Sequence, residues 1–180
     1  MRALCPSLLA ASLLGLLACE GGEKLGSNPG QTHGPGSGLP LVGAPIPLTR
    51  FRPDTTAFTA YSGLTATGNV VIRDATAWAA LWKEIYATVE PQPDLPSIDF
   101  AQEMIVSAAL GTRSSGGYDI VLAQAAEDAG VVQVEVVETS PGAGCLTTQA
   151  LTQPVDLARM PRRDGTVSFV VVQKVRACGS

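Results

Sequence analysis

Hydrophobic and polar positions along this chain fall into three kinds of pattern, and each predicts a different element. Met104–Leu110 (MIVSAAL) contains no charged residue and is apolar at positions of both parities, as in an inner strand covered on both faces. Val131–Glu138 (VVQVEVVE) alternates instead, with Val132, Val134 and Val136 on one face and Gln133 and Glu135 on the other, which predicts a half-buried strand with a wet face. In ATAWAALWKEIYATV, Trp78, Leu81, Trp82, Ile85, Tyr86 and Val89 recur at helical spacing and form one wide apolar stripe. Asp74 stands at the N-cap position ahead of this helix, and Pro91 and Pro93 close it. Both tryptophans of the chain lie on the stripe. That spacing favours packing onto a sheet over a ligand-stacking platform.

Further extended runs complete the pattern. They are Ala57–Tyr61, Gly68–Arg73, Tyr118–Leu122, Pro154–Met160 and Thr166–Val175. Asp99–Leu122 reads as a central β-hairpin whose two strands are joined by the Gly- and Ser-rich segment Gly111–Tyr118. Glu127–Gly130 reads as a turn, and Asp164-Gly165 signals a second hairpin between the last two strands. The expected fold is α+β: about seven strands in hairpin succession, mostly antiparallel, with one amphipathic helix packed on the sheet.

The first 54 residues carry no such pattern. Met1-Arg2 is followed by the apolar run Leu8–Leu17, which ends at Leu16-Leu17-Ala18-Cys19. The run is shorter than the ~20 apolar residues a spanning helix needs, so residues 1–18 read as an export signal. The Leu-Leu-Ala-Cys sequence resembles a bacterial lipobox, which implies cleavage before Cys19 and lipid attachment to that cysteine. An ordinary secretory signal with an incidental cysteine is the alternative. Glu20 is not the aspartate associated with inner-membrane retention, so the outer membrane is expected in a cell with two membranes. Residues 19–54 are rich in Gly, Pro and Ser and read as a flexible tether. The globular domain is expected over residues 55–180, and His33 falls in the tether as a solvated residue.

Composition narrows the chemistry. The 180 residues include 12 Lys+Arg and 16 Asp+Glu, for a net charge of −4. The basic residues are scattered, without the Lys/Arg run that tracks phosphates, so nucleic acid is not an expected partner. Of the four cysteines, Cys5 leaves with the signal and Cys19 is the anchor. In an oxidising compartment Cys145 and Cys178 are then expected to form one disulfide, with two free thiols as the alternative.

The only histidine is His33, outside the domain, so neither a Ser–His nor a Cys–His pair can be built there. No HExxH, CxxC or EF-hand spacing is present, and no metal or cofactor is expected. A two-carboxylate mechanism using Asp94, Asp99, Asp119 or Glu135 stays open, although no spacing asks for it. The loop of Gly111, Thr112, Arg113, Ser114, Ser115, Gly116, Gly117 and Tyr118 lacks the Lys-Ser/Thr ending of a phosphate-binding loop and precedes a strand, not a helix. It reads first as a hairpin turn using Gly116-Gly117 for positive φ, and second as a partner-contact loop.

With these residues in hand the domain resembles the PrcB C-terminal domain family. The resemblance is carried by VVIRDATAWAALW, PSIDFAQEMIVSAALGTRSSGGYDIVL, ETSPGAGC, TQPVDLARMP and VSFVVVQKVRAC, spanning about Gly68 to Cys178. It implies an exported, non-catalytic domain that accompanies or stabilises a bacterial surface protease. The expectation is a lipid-anchored, non-enzymatic interaction domain at the bacterial cell envelope. The alternatives are a protease-inhibitor-like β-domain acting through residues 111–118 and an envelope enzyme of unassigned type.

Overall fold

A computed structural model describes residues 40–52 and 56–178. The signal, Cys19, His33 and the tether up to residue 39 lie outside the described residues. Eight strands and one helix follow one another as β1 (Ala44–Ile46), β2 (Thr49–Arg50), β3 (Gly68–Ile72), α1 (Ala75–Ile85), β4 (Glu103–Ala109), β5 (Asp119–Asp128), β6 (Val131–Pro141), β7 (Val155–Pro161) and β8 (Thr166–Arg176). They form two four-stranded sheets, one ordered β1-β5-β6-β8 and the other β2-β7-β4-β3. All pairs are antiparallel except β6 with β8, which is parallel. The class is α+β and mostly antiparallel, as the patterning predicts, with eight strands in place of seven.

Three layers result. The first sheet packs its inner face on the second through Leu122, Val132, Val134 and Val136 from one side and Met104, Val106 and Met160 from the other. The helix covers the far face of the second sheet, where Trp78, Trp82 and Ile85 pack on Ile72, Ile105, Val155 and Leu157. The lack of apolar–polar alternation in β4 follows from this, because its odd and even residues face different cores and both are closed.

The helix starts where its stripe and cap place it. Asp74 accepts from the Ala77 amide at 2.8 Å, satisfying one of the free N-terminal donors. The Trp78 indole donates to the Pro96 carbonyl at 2.9 Å and the Trp82 indole to the Pro93 carbonyl at 3.0 Å. The helix stops at Ile85 with Tyr86 as its C-cap, short of the expected end of the stripe at Val89 and of the prolines at 91 and 93; the proline-rich segment instead satisfies the two buried indole N–H groups. The tryptophans are core residues, joined in one aromatic layer by Phe51, Phe58 and Tyr86.

Three expectations are corrected. First, Asp99–Leu122 is not a hairpin: β4 and β5 belong to different sheets, and residues 111–118 carry the chain from one to the other. Second, Arg162–Gly165 is also a crossover, because β7 lies in the second sheet and β8 in the first. Arg73 donates to the carbonyls of Arg163 and Gly165 at 3.0 Å each, and Arg162 donates to the Phe100 carbonyl at 2.9 Å. These bonds steer the segment away from the return that Asp-Gly would favour. Hairpin succession holds for β5–β6, where Ala129 (φ 48) and Gly130 (φ 79) make the tight turn. Third, the folded part starts before Thr55. Strands β1 and β2 lie within the stretch expected to be tether, and Ile46 is buried in the core. Ala57–Tyr61 contributes single bridges, Thr59 to Val155 and Tyr61 to Gln153, without a continuous strand.

Candidate functional site

The segment from Gly111 to Tyr118 crosses the end of the sandwich and is bonded along both flanks. Its start is fixed by the Thr112 amide donating to the Thr65 carbonyl at 3.0 Å. Arg113 and Thr152 exchange backbone bonds at 2.8 and 3.0 Å, and the Gly116 amide donates to the Thr148 carbonyl at 3.0 Å. The Thr152 hydroxyl donates to the Ser115 carbonyl at 2.9 Å. Two glycines permit this seating for different reasons. Gly117 has φ +88, a conformation that disfavours a side chain, whereas Gly111, at φ +67, is also needed for proximity: a Cβ there would lie 2.7 Å from backbone atoms of Thr65, Ala66 and Thr67, while one at Gly116 would meet only the rotatable hydroxyl of the exposed Thr148. Positive φ is therefore required at Gly117 and not at Gly116, a refinement of the expectation for the pair.

Beside this segment the mouth between the sheets holds an open cleft of about 370 Å³. Leu110, Arg113 and Tyr118 form one wall. Glu138, Thr139 and Ser140 from the end of β6 and Gln173 and Lys174 from the end of β8 form the other. The Arg113 guanidinium lies 5.8 Å from the Tyr118 ring centroid, within cation–π range. Two cations, one carboxylate, three hydroxyls and one side-chain amide thus line the cleft beside the aliphatic Leu110. This chemistry suits polar peptide groups and side chains of a partner. Of the candidate contact residues, Arg113 and Tyr118 reach the cleft, Ser114 is exposed on the outer side, and Gly111 is buried.

Two buried carboxylates organise the same end of the fold. Asp119 accepts from the Ala57 amide at 2.6 Å and from its neighbour Ile120 at 3.0 Å, with Arg176 at 3.9 Å. Asp156 is fully buried, pairs with Arg50 at 2.7 Å and accepts from the Leu122 amide at 2.8 Å. Burial pushes both carboxyls above their ordinary value, against the hydrogen bonds and arginines that draw them down. Arg50 and Asp156 escaped the sequence reading. Asp156 had a legible signal, the one acidic residue inside the run PVDLARM; Arg50 had none, sitting in the Pro-rich stretch expected to be tether.

The four carboxylates considered for acid–base chemistry are not gathered into one site. Asp99 accepts from the Ala101 amide at 3.0 Å in its own turn. Glu135 is held by Gln124 at 2.8 Å. Glu135 and the Asp119 partner Thr139 are four residues apart on β6, about 13 Å along a strand. Asp94 is exposed. No cluster of three or more His, Cys, Asp or Glu able to hold a metal occurs among the described residues. Cys145 and Cys178 lie at disulfide distance, with Cα atoms 5.4 Å apart.

The fold and cleft define a two-sheet α+β domain with one helix and a disulfide-linked mouth. The family model described as PrcB C-terminal matches residues 104–161, the family whose motifs the sequence resembles. The matched stretch runs from β4 to the end of β7 and contains the whole 111–118 segment. No curated protein and no solved structure gives a significant match.

Proposed function

We propose that this chain is a non-enzymatic protein of the bacterial cell envelope, lipid-anchored through Cys19. In this reading its folded domain serves as an accessory or stabilising subunit of a surface protease complex. The observation that carries the proposal is the coincidence of the PrcB C-terminal match with the cleft: Leu110, Arg113 and Tyr118 of the matched stretch form one wall. The seating of residues 111–118 favours an accessory role over an inhibitor. An inhibitory loop must project into an enzyme cleft, whereas this segment is bonded to residue 65 on one flank and to residues 148–152 on the other.

Crosslinking and pull-down from intact envelopes tests the reading. A protease is expected in the complex, and Arg113→Ala combined with Ser114→Arg should reduce its recovery at least tenfold while circular dichroism stays unchanged. Dose-dependent inhibition of proteases by the purified protein would establish the inhibitor reading instead. Turnover that survives repurification and is lost on changing one carboxylate would establish an enzyme. Cys19→Ala should release the protein from membranes; retention in the membrane fraction would remove the anchor.

A further inference from the structure

Arg113 stands apart from the other arginines in how its charge is met. Arg50, Arg159, Arg162, Arg163 and Arg176 each lie 2.7–3.9 Å from a carboxylate oxygen, and Arg73 donates to two backbone carbonyls at 3.0 Å. Among the described residues Arg113 has no carboxylate at such a distance. Its side-chain bond to the Thr112 carbonyl is 3.5 Å long, at the outer limit for a hydrogen bond. The guanidinium is nevertheless held in place. The backbone of Arg113 is fixed by its two bonds with Thr152, and the cation lies 5.8 Å from the Tyr118 ring centroid.

The opposite wall carries a charge that the fold does not use either. Along β6, Val132, Val134 and Val136 face the first core, and the same alternation brings Glu138 and Ser140 to the inner face at the mouth. On β5 the inner row Leu122, Ile120 ends at Tyr118, and on β8 the row Val167, Phe169 leads on to Gln173. Three apolar rows thus turn polar where they reach the cleft. Glu138 opposes Ile120 on one side and Gln173 on the other. It forms no ion pair among the described residues. Arg113 and Glu138 therefore line one cleft of about 370 Å³ without pairing with each other. That volume is at the small end for ligand sites and suits a short peptide segment.

The chemistry of these walls selects the ligand. A guanidinium resting on an aromatic ring keeps its N–H fork for a carboxylate, which it holds through two parallel bonds. Ionised Glu138 only accepts, so it calls for an N–H, and the Gln173 amide both donates and accepts, as peptide groups do. With Lys174 also on the lining, two cations stand against one carboxylate, a balance that favours an acidic ligand. We propose that the cleft binds a peptide segment by its carboxylate, with that carboxylate on Arg113 beside Tyr118 and a neighbouring peptide N–H on Glu138. This assignment rests on the reading of the cleft as the contact site for a protein partner, and it names the group the partner presents there.

Nuclear magnetic resonance titration of the full-length chain in mild detergent with three short peptides tests it. Acetyl-Gly-Gly-Glu-Gly-Gly-amide presents a side-chain carboxylate, acetyl-pentaglycine with a free C-terminus presents a chain-end carboxylate, and acetyl-Gly-Gly-Gln-Gly-Gly-amide presents neither. At least one carboxylate peptide should shift the Arg113 side-chain N–H and the Tyr118 ring signals at about 1–10 mM, and should bind about tenfold or more tightly than the Gln peptide. The tighter of the two identifies the source as a side chain or a chain end. Arg113→Gln should lower the affinity about tenfold or more, and Arg113→Lys by less, since it keeps the charge and loses the fork. Circular dichroism should stay unchanged in both, because the fold uses this residue through its backbone. Glu138→Gln should also weaken binding, by replacing an ionised acceptor with a neutral one; tighter binding would mean that Glu138 only repels the carboxylate, and overturns the proposed seating. Equal binding of the Glu and Gln peptides, unchanged affinity in Arg113→Gln, or no shift with either carboxylate peptide at about 10 mM overturns the proposal. A protease recovered by pull-down would still stand in that case, whereas peptide binding with no protease recovered would remove the accessory reading and leave the carboxylate site.

Discussion

Asp156 shows how one residue can hold distant parts of this chain together. Its carboxylate is bonded to Arg50, 106 positions away, and to the Leu122 amide, so it links β2, β5 and β7 across both sheets. Removing one partner of a buried ion pair leaves the other uncompensated. Asp156→Ala is therefore expected to lower unfolding free energy by about 3–5 kcal/mol in urea titrations, far more than loss of the exposed Arg162–Asp164 pair. Asp119 predicts a pH dependence. Burial raises its folded pKa above the ordinary 3.8, so the native state holds more protons than the unfolded state between that value and the raised one. Its contribution thus falls as pH rises through that window and is level above it. Asp119→Asn keeps an oxygen acceptor for the Ala57 amide but does not titrate. The stability of the Asn variant relative to the native protein should increase as pH rises from about 4; a difference independent of pH would refute the assignment. At the start of the 111–118 segment, Gly111→Ala places a methyl 2.7 Å from backbone atoms of Thr65, Ala66 and Thr67 at φ +67. It should detach the Thr112–Thr65 backbone bond, seen as faster amide exchange at Thr112 with the sheets still protected.

At the scale of elements, what was legible depended on whether a residue's partners were local. The helix could be read in advance because its signals are all near it in sequence: the Trp78–Trp82–Ile85 stripe, the Asp74 cap and the prolines beyond. The β5–β6 turn was legible for the same reason, since Gly130 states its need for positive φ in its own identity. The crossovers were not. Asp164-Gly165 carries the same local signal as a hairpin, and only the bonds from Arg73, about 90 positions earlier, decide otherwise. Strands β1 and β2 were hidden by Pro45 and Pro47, which short edge strands tolerate. The cleft was half legible: Arg113 and Tyr118 were named as contact residues, while Glu138, Gln173 and Lys174 enter only through the parallel pairing of β6 with β8. The helix itself is needed to close the second core. Trp82→Ala should cost about 3–5 kcal/mol in thermal or urea unfolding. A cost under about 1 kcal/mol would mean that the aromatic layer is not a core.

For the whole molecule, the decisive feature is that β8 enters the first sheet in parallel with β6 after the chain has passed through the other sheet. A parallel neighbour cannot be joined by a tight turn, so nothing local holds the last strand in place. The Cys145–Cys178 link supplies that constraint, tying the loop after β6 to the end of β8 across 33 positions. Closing a loop of this size typically contributes about 2–4 kcal/mol. Around it, Gly142 donates to the Arg176 carbonyl at 3.0 Å, so the tie reinforces an existing backbone contact. Replacing both cysteines with serine should therefore lower stability by about 2–4 kcal/mol. The loss should be uneven, with amide exchange accelerating first at Val175 and Arg176 and least in β4, which is enclosed by both cores. If exchange accelerates equally in β4 and β8, the link acts on the unfolded chain alone. If it accelerates at the end of β8 first, the link holds in register the strand that carries Gln173 and Lys174 of the cleft.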